Sequence, residues 1–182
     1  MHTRACNAKT GLEEKGSALQ NLVPMPSATP APLTEKRLVL RILDLWRRFH
    51  NGDEMPLASV LTAPQAGADV DHVYLIDICH IDGPRFTFIG PALQVPDWPG
   101  QSEALIAECP EDSVLGLTSR NWREIVDREV PVTRGGVGRN RGEAVLYRSI
   151  LVPLADESGR ISVIMGAANW RLVEQHSGTP IE

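Results

Sequence analysis

The feature that most constrains the fold is a long hairpin pattern between Glu143 and Arg171. Its first arm, Ala144 to Leu154, is rich in Val, Leu, Tyr and Ile, and its second arm, Arg160 to Ala168, has the same character. The cluster Asp156-Glu157-Ser158-Gly159 between the arms is typical of turns. Pro153 falls at the end of the first arm, where a missing N–H does little harm to a strand ladder. The pattern predicts two long antiparallel strands.

The composition fits one globular domain with extensions. The chain has 182 residues, of which 42% are hydrophobic, and a formal net charge of -5. This balance gives no general attraction to nucleic acid or to anionic membranes, so neither is expected as a partner. Cys6, Cys79 and Cys109 have no regular spacing and predict no disulfide framework. We expect a cytoplasmic protein, because no apolar signal region or membrane-spanning run is visible.

Three segments differ in composition. Residues 1–33 are rich in Ser, Ala, Pro and Gly, which predicts a disordered or loosely ordered leader. The domain is expected over residues 34–173, followed by a tail over 174–182. Its first element is a predicted helix from Glu35 to His50, with Thr34 as the N-cap.

Apolar side chains cover a broad side of this helix. They recur at helical spacing and form a wide stripe, which consists of Leu38, Val39, Ile42, Leu43 and Trp46. One side of a sheet would not cover the whole stripe, so we expect the helix to pair with a second copy in a homodimer. Packing within a single domain is the open alternative.

The remaining pattern indicates an α+β order of elements. Two strands are predicted first, then a region rich in Pro and Gly with a short helical piece over 102–108, then a second long helix and a third strand that begins near Val130. The strands are expected at His72–Ile78 and Arg85–Ile89, and the helix at Asp112–Arg128. The stretch Arg134–Gly142 carries three arginines and several glycines. It is predicted to be a mobile loop, with phosphate binding through its N–H groups and arginines as the alternative.

This order resembles a PAS domain, and parts of the sequence resemble a bacterial family of short, often stand-alone PAS-like proteins. Trp46 and the run from Gly52 to Met55-Pro56 are similar to that family's opening helix and Gly-x-x-Met-Pro motif. Three further stretches resemble strands of that family, namely Val73–Ile78, Arg85–Gly90 and Tyr147–Leu154. The likeness covers about residues 36–173. It departs at Pro96–Gly100, where two prolines argue against the family's short helix.

The resemblance implies a five-stranded antiparallel PAS-like sheet, with helices on one face and an N-terminal flanking helix. It also implies a non-enzymatic sensory or regulatory module in bacterial signalling, which binds a small ligand or a partner protein. Two alternatives stay open, a small α+β cone-fold enzyme and a purely structural dimerisation module. Any output must pass to a separate signalling partner, because no kinase, cyclase or DNA-binding pattern is visible.

No cofactor, metal ion or catalytic residue is predicted. A haem would need an axial His or Cys, and the helical half offers only Cys109. The flavin-reactive Asn-Cys-Arg type of motif has Trp122 in place of its cysteine. Cys79 and His80 are neighbours on a strand and point to opposite faces, so they cannot easily share a metal. Ser149 and Ser162 lack a Gly-x-Ser-x-Gly setting.

A ligand, if one binds, is expected between the sheet and the helix Asp112–Arg128. Ligand pockets are concave and mostly apolar, with a few polar groups that fix orientation. The candidate lining residues are Tyr74, Ile76, Phe88, Trp122, Tyr147 and Ser149. The alternative is that these side chains simply fill the core.

Overall fold

The computed structural model describes residues 37–52, 54–99 and 103–173. All of them belong to one compact unit, Thr34–Glu182. The predicted leader, the N-cap Thr34, the first helical residue Glu35 and the tail over 174–182 lie outside the described residues. Within the described ranges, no helix is both long enough and apolar enough to cross a membrane.

The described part of the chain contains helices, strands and short 3-10 turns. The helices are α1 (Leu38–Phe49), α2 (Val114–Ser119) and α3 (Trp122–Arg128). The strands are β1 (Val73–Asp77), β2 (Arg85–Ile89), β3 (Val132–Asn140), β4 (Glu143–Ala155) and β5 (Ile161–Leu172). The 3-10 segments are Ala63–His72, Pro91–Leu93 and Ile106–Glu108.

The five strands form one sheet in the order β2-β1-β5-β4-β3, and every neighbouring pair is antiparallel. Strand β1 thus lies beside the hairpin strand β5, and β2 and β3 are the two edge strands. The helical segment between β2 and β3 connects one edge of the sheet to the other. This is the α+β PAS-like architecture that the sequence predicts. The predicted fold class is confirmed.

The β4–β5 hairpin forms the centre of the sheet, as predicted. Its turn is held by Asp156, whose Oδ1 accepts hydrogen bonds from the Ser158 N–H at 2.8 Å and the Arg160 N–H at 3.1 Å. The hydrogen bond from the Ser158 side chain is the main cause that lowers the pKa of Asp156 below its usual value. Gly159 has a φ of 83°, a left-handed conformation that suits glycine.

Helices pack on both faces of the sheet. Helices α2 and α3 cover one face, here called the inner face, over a core that includes Tyr74, Phe86 and Ile125. Helix α1 covers part of the other face, here called the outer face, through Leu38, Ile42 and Trp46. The Trp46 indole N–H donates to the Pro153 carbonyl at 2.8 Å and anchors α1 to β4. Helix α1 is therefore the flanking helix that the sequence predicts.

The prediction of one long helix over Asp112–Arg128 is wrong, because the structure has two short helices there, α2 and α3. Ser113 is the N-cap of α2, and its side-chain oxygen accepts from the Gly116 N–H at 2.9 Å. Asn121 leaves the helical conformation, with φ -80° and ψ 11°, and its side-chain amide donates to the Leu117 carbonyl at 3.1 Å. Asparagine favours such a break because its side chain competes for backbone partners.

The prediction of a mobile loop over Arg134–Gly142 is also wrong, because most of this stretch is strand β3. Its glycines provide room for neighbouring side chains. A Cβ at Gly136 would lie 3.2 Å from the Tyr147 hydroxyl oxygen, and a Cβ at Gly138 would lie 2.7 Å from a Leu117 methyl carbon. Close packing, and not flexibility, explains these glycines.

Candidate functional site

Tyr74 is the central polar side chain of the inner face. It lies on β1, is completely buried, and its ring crosses β5 at Gly166, where a Cβ would lie 2.1 Å from the ring carbon Cζ. Its hydroxyl donates to Thr118 Oγ1 at 3.0 Å, and Thr118 donates to the Val114 carbonyl at 2.8 Å. Burial raises the pKa of Tyr74 far above its usual value, although the hydrogen bond with Thr118 lowers it slightly. The phenol is therefore neutral and joins β1 to α2.

Side chains fill the space between the sheet and helices α2 and α3. The ring of Phe86 meets those of Tyr74 and Trp98 edge to face, each at a centroid distance of 6.0 Å. Leu115 and Ile125 enter the same core from the helices and are buried to 1% and 0% exposure. At the rim of this space, a void lined by Val114, Trp170 and the exposed Arg141 measures about 20 Å³, which is room for about one water molecule.

Five of the six candidate pocket residues lie on this inner side. Tyr74 and Ile76 are in the core, and Trp122 and Tyr147 pack against it half-buried. Ser149 is buried, and its hydroxyl donates to the Arg134 carbonyl at 3.5 Å. Four of these five side chains therefore belong to the inner core or pack against it. A ligand at this position stays a prediction.

The prediction for Phe88 is wrong, because this ring packs on the outer face with the α1 core. The cause is a register shift between β1 and β2, where Leu75 pairs with Phe88 and Ile76 pairs with Phe86. The extra residue, Thr87, forms a bulge, so Phe86 and Phe88 point to opposite faces. A regular strand would have placed both on the same face.

Cys109 is a structural residue at the end of a 3-10 turn. Its sulfur is buried and lies 3.7 Å from the Ser113 hydroxyl. Burial raises the pKa of the Cys109 thiol to about 11, and the Ser113 contact offsets only part of this effect. A protonated, enclosed thiol is a poor nucleophile. Within the described ranges, no group of three or more His, Cys, Asp or Glu side chains is placed to hold a metal ion.

Sequence reasoning missed the open part of the outer face beyond α1. Here a groove of about 600 Å³ runs over the β3–β4–β5 end of the sheet. It exposes apolar and cationic side chains together, with Val137 66% exposed and Leu146 37% exposed beside Arg148 and Arg171. A second groove of about 570 Å³ lies where the start of α1 meets Thr133 and Arg148. The pairing of β3 with β4 defines this surface, so a correct prediction of strand β3 would have located it.

Comparisons with known proteins show a similarity of fold alone. No family model matches the chain, and neither does any curated protein. Among solved structures, the chain is similar to the photo-excited blue-light photoreceptor Vivid, a fungal protein, with 13% identity, 70% of this chain and 93% of that chain covered, and a TM-score of 0.43.

Two other solved structures illustrate the same similarity. The PAS domain of BvgS from Bordetella pertussis is 15% identical, with 58% of this chain and 76% of that chain covered and a TM-score of 0.33. The light-state Aureochrome1 LOV domain is 14% identical, with 56% and 87% covered and a TM-score of 0.39. The strand order of the sheet, and not these overlays, carries the assignment of a PAS-like domain.

Proposed function

We propose that this chain is a non-enzymatic regulatory module of bacterial signalling that transmits its signal by contact with a separate protein. The observation that best supports this function is that side chains fill the interior between the sheet and helices α2 and α3. Tyr74, Phe86 and Ile125 occupy the place where a PAS-like sensor would hold a small molecule, and each is 0% exposed. The sparse cysteines support a reducing, cytoplasmic setting.

The packing of the interior supports partner binding over ligand sensing. Small-molecule pockets measure about 300–1,000 Å³, whereas the small void at the rim of this space, between Val114 and Arg141, is about 20 Å³. The buried polar groups of the core, Tyr74 and Thr118, already hydrogen-bond to each other. The grooves on the outer face are large enough for a protein contact and expose apolar side chains of the kind found in interfaces.

The homodimer is part of this proposal, with a smaller contact surface than the sequence suggests. Leu38, Ile42 and Trp46 are 2%, 1% and 7% exposed, because they pack on the sheet of their own domain. Val39 and Leu43 are only half-buried and remain available on α1. We assign the dimer contact to these two residues and to their neighbours on the exposed side of the helix.

The test is photo-crosslinking in living cells from defined surface positions. A benzophenone amino acid placed at Val137 or Leu146 on the open outer face should yield a discrete crosslinked partner. The same group at Ile81, which is 94% exposed in the turn between β1 and β2, serves as the control. Equal crosslinking from all three positions, or none from the outer face, would contradict the proposed function.

A further inference from the structure

The two edge strands of the sheet differ in how much of their backbone is covered by other segments. The edge strand β2 is covered by a returning segment, since the Phe86 N–H donates to the Ala104 carbonyl at 2.9 Å and the Ile106 N–H donates to the Pro84 carbonyl at 3.0 Å. Within the described residues, the other edge strand, β3, is covered only near its end, where the Arg139 N–H donates to the Asp112 carbonyl at 2.8 Å. The rest of this edge faces outward.

The open edge extends from Thr133 to Val137. Backbone groups alternate in direction along a strand, and Arg139 points its N–H away from β4. Thr133, Gly135 and Val137 share that direction, and nothing in the described part of the chain pairs with their N–H and C=O groups. All three residues are exposed.

This edge lacks the bulges, prolines and lysines that commonly block strand addition. Its pairing with β4 runs without a bulge from Val132↔Leu151 to Asn140↔Glu143. Gly135 and Gly136 carry no side chains, and the stretch holds no proline or lysine. Unprotected edges of this kind accept an extended segment from another chain.

The charge near the edge identifies the chemistry of that segment. Residues 132–148 contain four arginines and one glutamate, although the whole chain has a net charge of -5. Arg134 and Arg139 form ion pairs with Glu124 and Asp112. Arg148 is exposed opposite Gly135 and has no ion-pair partner among the described residues. Gly135 carries no side chain that would separate Arg148 from the edge, and the Arg148 Cγ would lie 3.8 Å from a Cβ at that position.

We propose that an extended, acidic segment of a partner protein pairs with β3 between Thr133 and Val137 as a sixth strand, with a carboxylate beside Arg148. The inference rests on the proposed function, because it names the chemistry of the partner. A second copy is disfavoured as the occupant. Pairing β3 antiparallel to its symmetry mate around Gly135 would make the two Arg134 side chains diagonal neighbours on adjoining strands, and like charges so placed disfavour pairing.

The test measures binding of a short, labelled peptide of alternating valine and glutamate by fluorescence anisotropy, with a valine–lysine peptide as the control. Val137→Pro removes one outward N–H and leaves the bonds to β4 intact, so it should weaken binding about tenfold, whereas Val137→Ala should not. Arg148→Glu should weaken binding by a similar factor, whereas Arg48→Glu, at the far end of α1, should not. Thermal melts establish that each variant is folded.

The outcomes separate this inference from the proposed function. Loss of binding in Val137→Pro and Arg148→Glu alone supports it. Absent binding, equal binding of the lysine peptide, or unchanged binding in Val137→Pro overturns it. A wild-type dimer that Val137→Pro dissociates, but Leu43→Glu does not, would make a second copy the occupant and overturn the acidic partner. The crosslinking from Leu146 tests the proposed function independently of these results.

Discussion

The Tyr74 ring packs directly against the backbone of Gly166, with no room for a side chain at that position. The two residues are direct partners in the β1–β5 ladder, and the Tyr74 ring lies over the glycine. This arrangement leaves the Tyr74 hydroxyl at hydrogen-bonding distance from Thr118. The fully buried phenol thus depends on a missing side chain in the neighbouring strand.

Gly166→Ala is expected to destabilise the protein by about 3 kcal/mol, because overpacking forces the Tyr74 ring out of its position. Urea unfolding measures the change in the free energy of unfolding. In a Tyr74→Leu background the same glycine substitution should cost much less, since the obstructing ring is gone. An unchanged urea midpoint in the single variant would contradict the packing described for this pair.

Cys109 is expected to make stability fall at alkaline pH. Burial raises the pKa of its thiol from 9.0 to about 11 in the folded chain, so the folded state disfavours the thiolate. The stabilising contribution is complete below the unfolded pKa of about 9 and is lost as pH rises through the folded value. The raised pKa of Tyr74 acts in the same direction.

Urea unfolding at about pH 7, 9 and 10 measures this dependence. Cys109→Ala should lose less stability between the last two values than the wild type does. Cys79→Ala is the matched control, because Cys79 is exposed. Equal slopes for the wild type and Cys109→Ala would show that the buried thiol does not titrate as described.

At the scale of elements, helix α1 has two distinct sides. Ile42 packs into the sheet at 1% exposure, whereas its neighbour Leu43 is half-buried. Ile42→Glu should unfold the protein or cost about 3 kcal/mol or more, because it buries an unpaired charge. Leu43→Glu should leave the fold intact and yield a monomer. Light scattering and thermal melts measure both effects, and a wild-type monomer at high concentration would exclude the dimer.

The elements that could be predicted from the sequence are those with local patterns. The β4–β5 hairpin has a turn cluster at Asp156 and two apolar arms, and α1 has a helical repeat of apolar residues. The face of the sheet on which Phe88 lies could not be predicted, because the bulge at Thr87 depends on pairing with β1. The glycines of strand β3 predict a loop because glycine disfavours strands, and the contacts that require glycine there come from the distant residues Tyr147 and Leu117.

At the scale of the whole molecule, the interior is closed and the surface carries the features suited to binding. The inner face is packed by rings and aliphatic side chains, and the void at its rim measures about 20 Å³. The outer face combines an open sheet edge, a groove of about 600 Å³ and exposed arginines. Because of this contrast, the interaction surface that we propose lies on β3 and β4, outside the pocket that the sequence suggests.

Native mass spectrometry of protein freshly purified from cells supplied with haem and flavin precursors tests whether the interior between the sheet and helices α2 and α3 is filled by side chains. A filled interior predicts a mass that corresponds to the bare chain or to a simple multiple of it, and an absorbance spectrum without bands beyond those of tryptophan and tyrosine. A stoichiometric small molecule that is carried by the folded chain and released on denaturation would contradict the filled interior and restore the ligand-sensing interpretation.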